Sequence, residues 1–165
     1  MILTVLQHTP TRVWFILAAL VAFGLLQMRA RTVSRARLTV LPLALLALSL
    51  AGVVSNFGAL PMALVGWLVG VAAPLALPRQ TLATPGAQWS PTTRCLQVPG
   101  SALPLALMVG LFAIKYIAGA SLAMHPELGR DASFAGACSF GFGVFSGAFL
   151  ARSLALRSVA AKFPS

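Results

Sequence analysis

Residues 13–28 read VWFILAALVAFGLLQM, and the run from Val13 to Leu26 carries no charged side chain. A bilayer core about 30 Å thick requires about 20 apolar residues in a helix, with a lower limit of about 17. The run is close to that limit and predicts a helix that spans a membrane. Its arginines come after the apolar segment, as in a stop-transfer anchor, whereas a signal peptide carries its positive charge before it. These arginines are Arg29, Arg31, Arg35 and Arg37.

Four more apolar stretches follow, at residues 38–54, 60–77, 102–124 and 134–151. Together with the first run they predict about five membrane helices, with four or six as the alternatives, in a single transmembrane domain comprising residues 1–165. The composition agrees, since 59% of the residues are hydrophobic, 8% are charged and the mean hydropathy is +0.92. Soluble domains usually have about 25% charged residues, so an ordinary water-soluble fold is excluded. The predicted fold class is an all-α, polytopic membrane helix bundle.

The charges are strongly unbalanced, with 12 Lys and Arg residues against two acids and a net charge of +10. A nucleic-acid-binding protein gathers its basic side chains on one soluble face. Here they lie between apolar runs, which is typical of the loops of a membrane protein. We therefore expect membrane lipids, and not nucleic acid, as partners.

The basic residues also predict the orientation, because they concentrate in cytoplasmic loops. With the N-terminus outside, Lys115 lies within a span and only Arg12 and Arg130 lie outside. The topology is therefore predicted to be N-out and C-in. The inner arginines are expected to bind anionic lipid headgroups, each contributing about 1 kcal/mol near the surface. The inner basic residues are Arg29, Arg31, Arg35, Arg37, Arg79, Arg94, Arg152, Arg157 and Lys162.

The inner segment 79–101 is the only connection long enough to fold by itself. Gln88-Trp89 and the alternating Cys95-Leu96-Gln97-Val98 flank the turn-like segment 90–94. This pattern favours a small hairpin on the inner membrane surface, anchored by Trp89. An irregular interfacial loop is the alternative, and the other connections are too short to fold alone.

Several short motifs resemble a family of small bacterial inner-membrane proteins that is classed only as a domain of unknown function. The motifs are QMRARTVS at 27–34, GVVSNFG at 52–58, VPGS at 98–101 and Lys115-Tyr116. The resemblance covers most of the chain and implies a multi-pass protein of the bacterial inner membrane. It brings no activity, cofactor or catalytic residue. The chain departs from the family in the inner hairpin turn, where Pro91-Thr92-Thr93 replaces a Gly or Asp.

Small side chains recur every four residues along the fifth predicted span. They include Ser139, Gly143 and Gly147, and the third span has a second GxxxG motif at Gly66 and Gly70. Small residues let membrane helices approach closely, and close packing drives their association in lipid. These residues predict a helix contact, either within one chain or between the copies of a homo-oligomer.

Lys115 lies near the middle of the fourth span, where a charged lysine costs about 2.5–3.5 kcal/mol on insertion scales. Such residues are candidates for function, and we expect Lys115 to face the bundle interior beside Ser146. The predicted ligand-binding residues are Lys115, Tyr116 and Ser146. A lysine that extends toward the interface, or is only tolerated, is the alternative.

No catalytic motif, cofactor-binding loop or metal-ligand spacing is found in the sequence. His8, His125, Glu127 and Asp131 are the nearest approach to a cluster, and we interpret them as a solvated loop and terminus. The sequence favours a non-enzymatic membrane protein that binds a small solute, a lipid or a partner protein. A small-solute transporter working as an oligomer is the alternative, and a membrane-embedded enzyme is less favoured.

Overall fold

The computed structural model of the chain describes residues 11–26, 28–34, 36–78, 81, 85–90 and 95–161. Within these residues five α-helices dominate, which confirms the helical character of the predicted fold. A 3-10 helix, Pro126–Arg130, connects the last two α-helices. The α-helices are α1 (Thr11–Leu26), α2 (Arg37–Phe57), α3 (Pro61–Ala76), α4 (Leu103–Met124) and α5 (Ala132–Ala161).

Three of the described helices, α2, α4 and α5, are long and apolar enough to cross a membrane. The other two, α1 and α3, are apolar but have 16 residues each. At 1.5 Å per residue, 16 residues extend about 24 Å, which is less than the thickness of a bilayer core.

Helix α5 is the centre of the bundle and packs against α2, α3 and α4, most extensively against α3. Helix α1 packs against α4, where Gly24 lies directly on Leu105. The main core is formed by α2, α3, α4 and α5. Its buried side chains include Val53, Trp67, Ala118 and Phe142.

Helix α5 continues to Ala161, well beyond the predicted end of the fifth span at residue 151. Hydropathy does not detect this extension because its first residues, Arg152 and Ser153, are polar. Both are nevertheless buried, and the Ser153 hydroxyl donates a hydrogen bond to the carbonyl of Leu38 on α2. The helix is therefore continued by packing against α2 and not by apolar composition.

A three-stranded antiparallel sheet supplements the helices. It comprises β1 (Arg31–Ser34), β2 (Gln88–Ser90) and β3 (Cys95–Val98), in the order β1-β3-β2. The pairing of β2 with β3 is the hairpin pairing expected from the sequence, whereas the segment between them, 91–94, lies outside the described residues. Strand β1 lies in the first inner connection, which the sequence predicts to be too short to fold alone. It forms structure because it pairs with β3, about 60 residues further along the chain.

The sheet has one apolar face and one polar face. Val33, Leu96 and Trp89 are cross-strand neighbours on the first face, and Thr32, Gln97 and Gln88 on the second. The apolar face packs onto the beginning of α2 and the end of α5. The buried cluster there consists of Leu96 and Val98 of β3, Leu38 of α2 and Leu156 of α5. We call this end of the bundle the sheet end.

The opposite end contains the 3-10 helix and the connection from α2 to α3. Gly58 ends α2 with a φ of 62°, a backbone conformation that glycine adopts without strain, and its N–H donates to the carbonyl of Val54. Gly129 of the 3-10 helix lies beside the carbonyl of Asn56 and the side chain of Leu122. The ends of α2 and α4 thus meet the start of α5 at this end.

Candidate functional site

Lys115 lies on an exposed part of α4, and not in the bundle interior where we expected it. Its side chain extends toward α2, with the ammonium nitrogen 3.5 Å from the position a Cβ would occupy on Gly52. Among the described residues, the ammonium has no hydrogen-bond or ion-pair partner. In the described part of the chain, Lys115 is thus a basic side chain without a polar partner in the middle of a long apolar helix.

The space beside Lys115 is open. Gly119 follows it by one helical turn on the same side of α4, is exposed, and has no atom within 4 Å of the position of a Cβ. On α2, Leu48 precedes Gly52 by one turn and is 61% exposed. We call the surface formed by Leu48, Gly52, Lys115 and Gly119 the lysine face.

Tyr116 is half-buried and points away from the lysine face. Its ring stacks on Phe112 of the same helix, with centroids 6.3 Å apart and ring planes inclined by 11°. Neighbouring residues of an α-helix point about 100° apart, which explains why adjacent side chains have different surroundings.

Ser146 lies elsewhere, in a buried polar cluster within the bundle core. Its hydroxyl is 2.8 Å from the carbonyl oxygen of Phe142 and 3.3 Å from the hydroxyl of Ser49. Ser49 also accepts a hydrogen bond from the indole N–H of Trp67, at 3.1 Å. The structure therefore does not bring Ser146 to Lys115, and the three predicted ligand residues lie in different surroundings.

The sequence analysis selected Ser146 but did not predict that the indole N–H of Trp67 donates a hydrogen bond in the core. A tryptophan within an apolar span reads as a hydrophobic residue, and its N–H finds an acceptor only where another helix supplies one. Gly52 was missed for the same reason, because its proximity to Lys115 depends on how α2 and α4 are arranged. Gly119, by contrast, was detectable from its four-residue spacing to Lys115.

The small residues of α5 lie against those of α3. A Cβ on Gly143 would overlap the carbonyl oxygen of Trp67, and one on Gly147 would lie 2.6 Å from that of Val71. A Cβ on Gly66 would lie 2.5 Å from the carbonyl oxygen of Gly136, and one on Gly70 would overlap that of Phe140. The backbones of these two helices are in direct contact within one chain.

Ser139 belongs to the same stripe and is fully buried. Its hydroxyl oxygen has no hydrogen-bond partner in the described part of the chain. The surrounding core is apolar, so Ser139 contributes small size at this position.

The predicted outer loop contains an exposed hydrogen bond between His125 Nδ1 and Glu127 Oε1, 3.0 Å long. The backbone N–H of Glu127, and then His125, lowers the pKa of the Glu127 carboxyl. Asp131 begins α5 by accepting a hydrogen bond from the N–H of Phe134. No three His, Cys, Asp or Glu side chains of the described residues gather as metal ligands, and His8 lies outside them.

The sheet end carries exposed arginines. Arg29, Arg37 and Arg157 are all exposed there, near the polar face of the sheet or the helix ends that support it. Arg152 is buried and takes part in an interaction. The described acids, Glu127 and Asp131, lie at the opposite end of the bundle.

These features define a small helical protein with apolar, membrane-like helices, a polar core cluster and an exposed lysine that no described residue pairs with. Comparison with known families agrees with the resemblance found in the sequence: one family model, described as a family of unknown function (DUF6622), matches residues 1–164. The chain belongs to this family. No curated protein and no solved structure matches it.

Proposed function

We propose that this chain is a multi-pass protein of a bacterial inner membrane that works by binding within the bilayer, without catalysis. What it binds is a lipid, a small solute or a partner protein. The observation that carries the proposal is the exposed amino group of Lys115 in the middle of an apolar helix, where no described residue pairs with it. Ionisable residues at such positions are costly and typically mark functional sites.

The surroundings of Lys115 support a binding role. Among the long apolar helices, α4 is the least covered by the rest of the protein. Only 11% of its most apolar segment is buried, against 50% for α5. Much of α4 is therefore available to lipid or to another molecule, including a second copy of the chain. The proposed site is centred on Lys115. It leaves out Tyr116, whose ring stacks on Phe112 away from the lysine face, and Ser146, whose hydroxyl is engaged in the core.

Native mass spectrometry of gently purified protein tests this proposal. We expect the wild type to retain a bound species that is lost from Lys115→Met. Arg130→Met is the matched control, because it also removes one exposed basic side chain, but in the 3-10 helix at the end of the bundle opposite the sheet. Loss of the species from both variants, or from neither, would contradict a binding site at Lys115.

The exposed arginines support a second contact, with anionic lipid headgroups at the inner face. Arg29, Arg37 and Arg157 are exposed at the sheet end, as headgroup binding requires. Replacing all three by Gln is expected to reduce the amount of co-purified anionic phospholipid while leaving zwitterionic lipid unchanged. Equal reduction of both lipid classes would contradict the proposal.

The buried polar cluster favours one alternative function, small-solute transport by an oligomer. Its hydroxyls and indole N–H come from three helices and supply polar groups inside an otherwise apolar bundle. These groups bond to one another, so a solute would have to replace existing hydrogen bonds. Solute uptake by reconstituted wild-type protein that is lost in Ser146→Ala would support transport over binding.

A further inference from the structure

The lysine face presents a positive charge at a depth that few anions in a membrane can reach. Lys115 lies 12 residues after Leu103 and 9 residues before Met124. At 1.5 Å per residue these separations are about 18 Å and about 14 Å along α4. The charge is therefore near the bilayer midplane if α4 crosses the membrane, and its anionic partner must reach that depth.

A second copy of this chain does not supply the partner. Its acids, Glu127 and Asp131, lie in the connection between α4 and α5. Copies with the same orientation place these acids at one common depth, and Glu127 follows Lys115 by 12 residues, or about 18 Å along a helix. A lysine side chain is far too short for that distance.

Lipid headgroups and small solutes are also unsuitable partners. Phosphate groups lie at the membrane surface, about 15 Å from the midplane of a core about 30 Å thick. To bind there, a small hydrophilic anion would have to leave water for an apolar surface that offers one cation. Burying a charge with so few polar partners costs free energy. The anion is best delivered by a molecule that itself crosses the membrane.

The glycines of the lysine face indicate the shape of that molecule. Gly119 has open space beside it, and Gly52 is only half-buried beside the ammonium of Lys115. Small residues allow the backbone of another membrane helix to approach closely, while the exposed Leu48 offers an apolar contact. A helix with a carboxylate near its middle would place an acid against Lys115 and its own backbone against the glycines.

We propose that the lysine face binds a membrane helix of another protein that carries an Asp or Glu near its midpoint. Paired ionisable side chains are a recurring arrangement inside membranes. The partner's carboxylate accepts hydrogen bonds from the Lys115 ammonium, and Gly52 and Gly119 admit the helix that bears it. This inference rests on the proposed binding function and specifies its ligand.

The test uses the full chain and a synthetic leucine-rich helix of about 24 residues in phosphatidylcholine vesicles, with association measured by fluorescence energy transfer. One peptide has a central Asp and its control has Leu at that position. We expect the Asp peptide to bind the wild type about tenfold more tightly than the Leu peptide. Lys115→Met should abolish this preference, whereas Arg130→Met should preserve it.

A second variant tests the shape of the face. Gly119→Leu places a large side chain where the partner backbone is expected. It should weaken association without lowering the melting temperature, since a Cβ on Gly119 would have open space around it in the described structure. Equal binding of both peptides to the wild type, or an unchanged Asp preference in Lys115→Met, overturns the inference. If such a result accompanies a Lys115-dependent bound species in native mass spectrometry, the binding function stands and only the helical partner is wrong.

Discussion

At the scale of single residues, Ser49 joins three helices through one hydroxyl group. It accepts from the indole of Trp67, lies 3.1 Å from the carbonyl oxygen of Phe142, and is in hydrogen-bond contact with Ser146. In an apolar medium no water replaces a lost partner, so removal of the Ser49 hydroxyl leaves the Trp67 N–H without its acceptor. The cluster therefore fixes the relative positions of α2, α3 and α5 as well as adding stability.

The Ser49 hydroxyl is expected to contribute measurably to stability. Ser49→Ala removes the acceptor of the Trp67 N–H and should lower the free energy of unfolding by about 1 kcal/mol. Ser55→Ala is the control, because Ser55 is exposed on the same helix. Thermal unfolding in detergent measures the effect. If the two variants melt at the same temperature, the cluster does not contribute as proposed.

The His125–Glu127 pair gives a pH-dependent prediction. The hydrogen bond of its own backbone N–H, and then that of His125, lowers the pKa of Glu127 below the usual 4.5. A carboxyl whose pKa is lowered on folding stabilises the folded segment at pH values above its pKa in the unfolded state. This stabilisation is lost as the pH falls through the pKa of the folded state. Because the group is fully exposed, we expect a local effect in the 3-10 helix.

Nuclear magnetic resonance titration of the Glu127 carboxyl measures this shift. We expect a pKa below 4.5 in the wild type and a partial return toward 4.5 in His125→Ala. The return is partial because the backbone hydrogen bond, which is the larger cause, remains. A wild-type value at or above 4.5 would show that the pair does not form.

At the scale of elements, the contact between α3 and α5 depends on glycine. The backbone of each helix occupies the space that a side chain on the other would need, at Gly70 and Gly143 in particular. Such contacts replace the hydrophobic driving force that helices lack in lipid. The stripe of small residues was visible in the sequence, but its partner helix was not.

Large side chains in this contact should separate the two helices. We expect Gly143→Leu and Gly147→Leu each to lower the free energy of unfolding by about 2 kcal/mol or more, since a rigid backbone lies opposite. Gly119→Leu is the matched control, with the same added volume in open space. Melting temperature and particle size in detergent are the measurements. If all three variants have the same melting temperature, the small residues of α5 do not form a contact that the fold requires.

The elements differ in how well the sequence predicted them. The helices were recognised because long apolar segments are a local property, and the pairing of β2 with β3 was anticipated from the alternation in 95–98. Strand β1 was not, because Arg31-Thr32-Val33-Ser34 becomes a strand only beside β3. The environment of Lys115 was also mispredicted: its residue type and depth follow from the sequence, whereas its direction depends on the positions of α1, α2 and α5.

At the scale of the whole molecule, the sheet restricts the possible topologies. Strand β1 precedes α2 and strand β3 follows α3, yet the two are hydrogen-bonded neighbours. The connection from α1 to α2 and the connection from α3 to α4 must therefore lie on the same side of any membrane. The chain between them, which contains α2 and α3, then crosses that membrane an even number of times. The end of α5 packs onto the same sheet through Leu156, so it lies at this end as well.

Two introduced cysteines can test this restriction independently of orientation. Thr32→Cys and Gln97→Cys are exposed neighbours on β1 and β3, to be compared in a background carrying Cys95→Ala and Cys138→Ala. A membrane-impermeant thiol reagent should label both positions from the same side of sealed vesicles. Labelling from opposite sides would mean that the sheet does not form in the membrane.

The orientation itself follows from the concentration of arginine at the sheet end, where Arg29, Arg37 and Arg157 are exposed, while Glu127 and Asp131 lie at the opposite end. Positive residues favour the cytoplasmic side, so the sheet end should face the cytoplasm. A reporter active only in the cytoplasm should therefore function when fused after residue 165. The same reporter inserted in the 3-10 helix, after Gly129, should be inactive, and an export-dependent reporter should give the opposite result at both sites. An export-dependent signal at residue 165 would reverse the predicted orientation.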